Sequence, residues 1–289
     1  MRHNSLILKK VLIIFIVALS LALVLSLNLK NIIKANNILG KSKTIHIKDN
    51  DYALTCSAES LIITSLDGKQ TILDSVSVVA DNEKIISYCI ADINKDCTDE
   101  ILMIIGAKGS EFGRNFVIYS FNSELQKTYS KSFKEMNPWK VQTCDVDGDG
   151  NLEISIAMYK KTKFYPVLEK RPYIYDWIDN SLFPKWRGSR LSKPFDDYIF
   201  LDIDKDGSDE LLAIELLQNG NKVINSYKWI GFGFEGLVES KEYEDIFIIK
   251  KSEHKSDIIN VHIKASSKSK WIAIKYDSGD FLEQAIIKQ

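Results

Sequence analysis

Three short acidic stretches constrain this chain more than any other feature. The clearest is Asp145-Val146-Asp147-Gly148-Asp149-Gly150-Asn151-Leu152-Glu153, which leads into the apolar run Ile154-Ser155-Ile156-Ala157. A second, Asp202-Ile203-Asp204-Lys205-Asp206-Gly207-Ser208-Asp209-Glu210, leads into Leu211-Leu212-Ala213-Ile214. A worn third, Asp92-Ile93-Asn94-Lys95-Asp96-Cys97-Thr98-Asp99-Glu100, leads into Ile101-Leu102-Met103-Ile104. Carboxylates at alternate positions converge only where the backbone coils tightly, and a glycine at position six allows that coil without a Cβ clash. Like charges brought so close need a hard cation among them, and Ca²⁺ takes six to eight oxygen ligands.

An EF-hand needs its bidentate Glu at position twelve and a helix on each side. Here the acid falls at position nine, and the flanks are strand-like: Val141-Gln142-Thr143-Cys144 before one loop, Tyr198-Ile199-Phe200-Leu201 before another. The expected ligand set is side-chain oxygens at positions one, three, five and nine with a backbone carbonyl at seven. The alternative is an ion-free acidic turn. The third loop is the weakest metal candidate, because Cys97 stands where glycine would take a positive φ.

The loops begin at 92, 145 and 202, so the steps are 145 − 92 = 53 and 202 − 145 = 57 residues. A period near fifty marks a radial array such as a propeller. Each loop is followed by an apolar strand, a variable connection and a hairpin, as in Phe116–Phe121 with Leu125–Ser130. Hairpins without an acidic loop turn at Asp67-Gly68 and Ser278-Gly279, and Asp-Gly between alternating strands is a strong hairpin signal. Five units result, roughly 44–75, 84–131, 138–190, 197–240 and 245–288, each with four short strands. The expected fold class is all-β, a propeller of about five four-stranded blades.

Asp-x-Asp/Asn-x-Asp-Gly-x-x-Asp/Glu before an apolar strand, repeated every fifty-odd residues, resembles the FG-GAP/VCBS repeats of integrin α-like propellers. The resemblance covers about residues 84 to 240. It implies structural Ca²⁺ on Asp145, Asp147, Asp149, Asn151 and Glu153, on Asp202, Asp204, Asp206, Ser208 and Glu210, and on Asp92, Asn94, Asp96, Thr98 and Glu100. It further implies that ligands bind opposite the acidic loops. Those segments are Ala107–Asn115, Tyr159–Pro172, Leu217–Lys222 and Ala265–Ser269. The longest offers Lys160, Lys161, Lys163, Phe164, Tyr165, Lys170 and Arg171 as candidate ligand-binding residues. Between 159 and 194 nine Lys/Arg face three acids in a chain of net charge −1, a local asymmetry. A cell-surface glycan or protein is the expected partner, with Trp177 and Trp186 either exposed for stacking or packed between blades.

Near neutrality gives no polyanion-binding signature, so nucleic acid is not an expected partner. At the amino end, Arg2, Lys9 and Lys10 precede the apolar run Val11–Leu27. That run would span about 26 Å as a helix, slightly short of a ~30 Å bilayer core unless its flanks snorkel. An uncleaved anchor is favoured over a cleaved signal, since no small-x-small site ends the run. The expected domains are a cytoplasmic flank at 1–10, a transmembrane signal-anchor at 11–29, a juxtamembrane stalk at 30–43 and the propeller at 44–289. The body would then lie on the extracytoplasmic side of the cell membrane.

Catalytic signatures are scarce. The four histidines are scattered, and Gly231-Phe232-Gly233-Phe234-Glu235-Gly236 lies in a hairpin instead of a strand–turn–helix unit. Cys56, Cys89, Cys97 and Cys144 fit no zinc spacing. The rival to a binding module is a carbohydrate-active enzyme, a glycosidase or lyase, using carboxylates such as Glu111, Asp196, Asp197 or Glu215 around a central channel.

Overall fold

The computed structural model describes residues 42–285, apart from 68, 189, 253, 254, 256, 266 and 267. Among these residues no helix is long and apolar enough to cross a membrane. The expected flank, anchor and most of the stalk lie outside the described residues.

Twenty strands form five separate four-stranded antiparallel sheets. The first sheet holds β1 (Lys43–Ile47), β2 (Asn50–Cys56), β3 (Ser60–Ser65) and β4 (Ile72–Ser77). The second holds β5 (Glu83–Ala91), β6 (Glu100–Ala107), β7 (Asn115–Phe121) and β8 (Leu125–Ser132). The third holds β9 (Pro138–Cys144), β10 (Glu153–Lys160), β11 (Glu169–Ile178) and β12 (Ser181–Trp186). The fourth holds β13 (Phe195–Leu201), β14 (Glu210–Leu216), β15 (Lys222–Trp229) and β16 (Phe234–Glu239). The fifth holds β17 (Asp245–Lys251), β18 (Ile258–Ala265), β19 (Lys268–Asp277) and β20 (Asp280–Ala285). Within each sheet the strands follow sequence order, so every connection is a hairpin-type link between neighbours. Five units of four strands is the expected count, and the result is a propeller-like fold.

Each acidic loop joins the first and second strands of its sheet, and the apolar run after it becomes the second strand. Those strands, β6, β10 and β14, are buried along nearly their whole length. Burial on both faces is why they read as continuous apolar runs instead of alternating ones. Four clusters of buried side chains join successive sheets: Leu54 and Leu61 with Met103, Phe116 with Ile156, Ala157 with Phe200, and Ile214 with Val261.

The two end sheets are covered differently from the middle three. Among the described residues no buried apolar cluster spans the fifth and first sheets. On the fifth sheet Phe247, Ile248, Trp271 and Leu282 stay exposed, Ile248 at 43%. The physical reason lies in composition. The other face of the first sheet carries Thr44, His46, Thr55 and Thr64, with Ala53 and Ile62 as its apolar members, which offers limited apolar area to an opposing blade.

Candidate functional site

The three acidic loops share one backbone design. At position nine the Glu Oε2 accepts the backbone N–H of position two: Ile93 to Glu100 at 3.1 Å, Val146 to Glu153 at 2.9 Å and Ile203 to Glu210 at 3.0 Å. The first Asp accepts the N–H of position six, from Cys97, Gly150 and Gly207. The Asp at position five caps the N–H of position seven, from Thr98, Asn151 and Ser208. Position six has positive φ in all three loops, +78° at Gly150, +94° at Gly207 and +63° at Cys97. Cys97 therefore adopts the glycine conformation despite its Cβ.

Two loops also fasten a sheet to the one before it. The Asp99 N–H donates to the His46 carbonyl at 2.8 Å, and the His46 N–H donates back to Asp99 Oδ2 at 2.7 Å. The same pair recurs between the fourth and third sheets, Asp209 N–H to the Asp145 carbonyl at 2.6 Å and Asp145 N–H to Asp209 Oδ2 at 3.1 Å.

The carboxylates converge unequally. Asp145, Asp147 and Glu153 bring ligand oxygens within 4.8 Å of one another, as do Asp202, Asp204 and Asp206. Asp149 is exposed and held by Asn151, whose N–H and amide keep its carboxyl below the ordinary range. At the second loop Asp202 Oδ1 and Glu210 Oε1 are buried without a hydrogen bond. Glu210 Oε1 faces the Lys228 ammonium 3.5 Å away. Buried acceptors so poorly satisfied suit a cation, so the donor set of that loop fits Ca²⁺.

Two residues absent from the sequence-based site enter these cages. Lys185 Nζ lies 2.5 Å from Asp147 Oδ2 and 3.2 Å from Asp176 Oδ1, and pairs closely with Glu153 Oε1. Lys228 Nζ lies 2.6 Å from both Asp204 Oδ2 and Asp206 Oδ2, and 3.5 Å from Glu210 Oε1. Burial pulls both ammonium groups down, but the surrounding carboxylates outweigh it and hold them above the ordinary lysine value. In the third loop the Asn94 amide does this work, donating to Asp96 Oδ2 and Glu100 Oε1 at 3.2 Å each. Burial pushes the Glu100 and Glu210 carboxyls up to about 7, helped at both by neighbouring acids. Glu153 is likewise raised by burial.

The opposite face carries the other expected residues, and they separate into two groups. Arg171 is 2% exposed, with its guanidinium on the Lys160 and Gly188 carbonyls and stacked near Tyr165. It is a packing residue, not a surface cation. Lys170 donates to the Asp196 carbonyl and sits 4.5 Å over the Trp139 ring. Tyr165 is half-buried under Arg190. Lys161, Lys163 and Phe164 stand out in solvent, Phe164 at 92% exposure, and Lys160 is half-buried at the strand end. Between the second and third sheets this face opens a cleft of about 380 Å³, lined by Lys84, Ser110, Glu111, Phe112, Trp139 and Lys170. Phe112 stacks on Tyr159 at 4.8 Å, and Trp139 Nε1 is buried with no hydrogen-bond partner.

Trp177 and Trp186 are packing residues, edge-on to Tyr129 and Phe234. The carboxylates considered for catalysis are largely committed. Asp196 pairs with Lys222 at 2.7 Å and Asp197 with Lys140 at 2.6 Å. Glu215 is fully buried among Tyr227, Asn225 and Lys193. Glu111 alone of the four lines an open cleft.

No family model and no curated protein matches this chain. Solved structures do resemble it. A putative 6-phosphogluconolactonase from Bacteroides uniformis superposes with a TM-score of 0.50 at 9% identity, over 82% of this chain and 68% of that one. The Dos1 propeller gives a TM-score of 0.46 at 9% identity, over 73% of this chain and 49% of its own, so this chain spans about half that length. At such identity the likeness concerns fold alone.

Proposed function

We propose that this chain is a membrane-anchored, extracytoplasmic β-propeller of the FG-GAP/VCBS type that acts as a calcium-stabilised binding module for an acidic cell-surface glycan or protein. The observation that carries the reading is the division of labour between its two faces. One face holds the acidic loops, which lock strands and sheets to one another. The other presents Phe164 with Lys161 and Lys163, together with the aromatic cleft at Phe112 and Trp139. Exposed aromatic and cationic side chains are the groups that dominate recognition surfaces. Asp145, Asp147 and Glu153, and Asp202, Asp204, Asp206 and Glu210, would hold Ca²⁺, supplying carboxylate oxygens to a hard cation. Lys185 and Lys228 would leave or share those cages as the ion enters. Commitment of Asp196, Asp197 and Glu215 to lysine and tyrosine partners favours binding over hydrolysis.

The test is a binding screen with the detergent-solubilised full chain against acidic glycans, repeated with the triple variant Lys161→Ala, Lys163→Ala, Phe164→Ala. The variant should bind at least tenfold more weakly at an unchanged melting temperature. Equal binding by both chains would overturn the ligand face. Separately, chelation should lower the melting temperature of the native chain and leave the double variant Asp145→Ala, Asp202→Ala unmoved; no chelator effect on the native chain would remove calcium from the reading.

A further inference from the structure

Beside the third acidic loop lies a cavity of about 590 Å³, lined by Asn94, Asp96, Glu100, Ser120, Thr128 and Trp177 among others. Its sister loops show what such a space receives. The strand registers make Tyr119, Tyr175 and Tyr227 equivalent, since each faces the first apolar residue after its loop Glu. Ser120 therefore occupies the place of Lys228. Likewise, Lys185 is the extra residue of the bulge between β11 and β12, and Thr128 is the extra residue of the matching bulge between β7 and β8. The two positions that deliver an ammonium into the sister cages both carry short hydroxyls here, and open space remains where a lysine stem runs elsewhere.

We infer that this cavity is a binding site for a primary alkylammonium group, the chemistry of a lysine side chain presented by a partner. The oxygens that would receive it are Glu100 Oε1 and Asp96 Oδ2, equivalent to those that hold Lys228 on Glu210 and Asp206. Both now take only the Asn94 amide, at 3.2 Å, and a carboxylate oxygen accepts more than one donor. Trp177, from the third sheet, gives the cavity an aromatic wall, and cations are attracted to the face of an indole. Lys48 also lines the cavity and is exposed to solvent. The volume falls in the range of small-ligand pockets. This site lies at the end of the sheets opposite Phe164 and does not depend on the ligand face.

The probe is n-butylammonium, with n-butanol and Ca²⁺ as controls, titrated into the full chain. The readout is the indole N–H resonance assigned through Trp177→Phe. Butylammonium should shift that resonance saturably, with n-butanol at least tenfold weaker. Thr128→Lys should fill the cavity from within, weaken butylammonium at least tenfold and keep the melting temperature at or above that of the native chain. Glu100→Gln should weaken it while leaving n-butanol unchanged. Equal response to n-butanol or undiminished binding by Thr128→Lys would each overturn the inference.

Discussion

The three middle sheets and the two end sheets are built to the same plan, yet they are held differently. A middle sheet is covered on both faces: β6, β10 and β14 bury nearly every residue, charged Glu included. An end sheet is covered on one. In β18 the face of Ile259, Val261 and Ile263 is buried against the fourth sheet, while His262 and Lys264 face away. The acidic loops follow the same division, occurring at 92, 145 and 202 and in neither end sheet. The contrast teaches that the loops belong to positions where a strand must be anchored between two neighbours. There the loop's own hydrogen bonds fix the strand's entry while its tip stays in solvent.

That comparison breaks most readily at the core. Phe116 is fully buried between the second and third sheets, and Phe116→Ala should cost about 3–5 kcal/mol in chemical denaturation. Ile248→Ala on the open face of the fifth sheet should cost under about 0.5 kcal/mol, as ordinary surface changes do. Similar losses at the two sites would mean that the fifth sheet's open face is covered in solution. Next comes the fastening between sheets. Asp209→Ala strands the Asp145 N–H and should cost about 1–3 kcal/mol, whereas Asp280→Ala at the last hairpin should cost almost nothing.

A smaller effect, of opposite sign, is expected at Cys97. A residue with a Cβ in the left-handed region costs roughly 1–2 kcal/mol, so Cys97→Gly should stabilise the chain by about that amount. Its melting temperature measures this directly. The mildest effect is on pH. Glu100 and Glu210 titrate at about 7 in the folded chain, against an ordinary 4.5. Between those values the folded state holds protons that the unfolded state has released, so stability falls as pH rises. The benefit is complete below about pH 4.5 and gone above about 7. Metal-free protein should therefore melt lower at pH 8 than at pH 5, and Glu100→Gln with Glu210→Gln should flatten the curve.

Sheet number and order were legible because turn chemistry and apolar runs are local signals. Asp-Gly and Ser-Gly turns, with an apolar strand after each acidic loop, placed all five units. The contents of the cages were not legible. Lys185 reaches Asp147 and Glu153 only through a bulge, and Lys228 reaches its loop from the third strand of its sheet, neither of which a nine-residue motif contains. Lys185 had read as part of a basic surface for the same reason. Arg171 misled in the same way: its charge points outward in sequence, but Tyr165 and Glu169 fold over it. Cys97 takes the positive φ of its sister glycines, with its own N–H donated to Asp92 and the Thr98 N–H to Asp96.

The paired bonds from Asp99 to His46 and from Asp209 to Asp145 run in one direction along the chain, each later loop reaching back to an earlier strand. A newly made sheet thus finds its docking partner already present and never waits for sequence still to be synthesised.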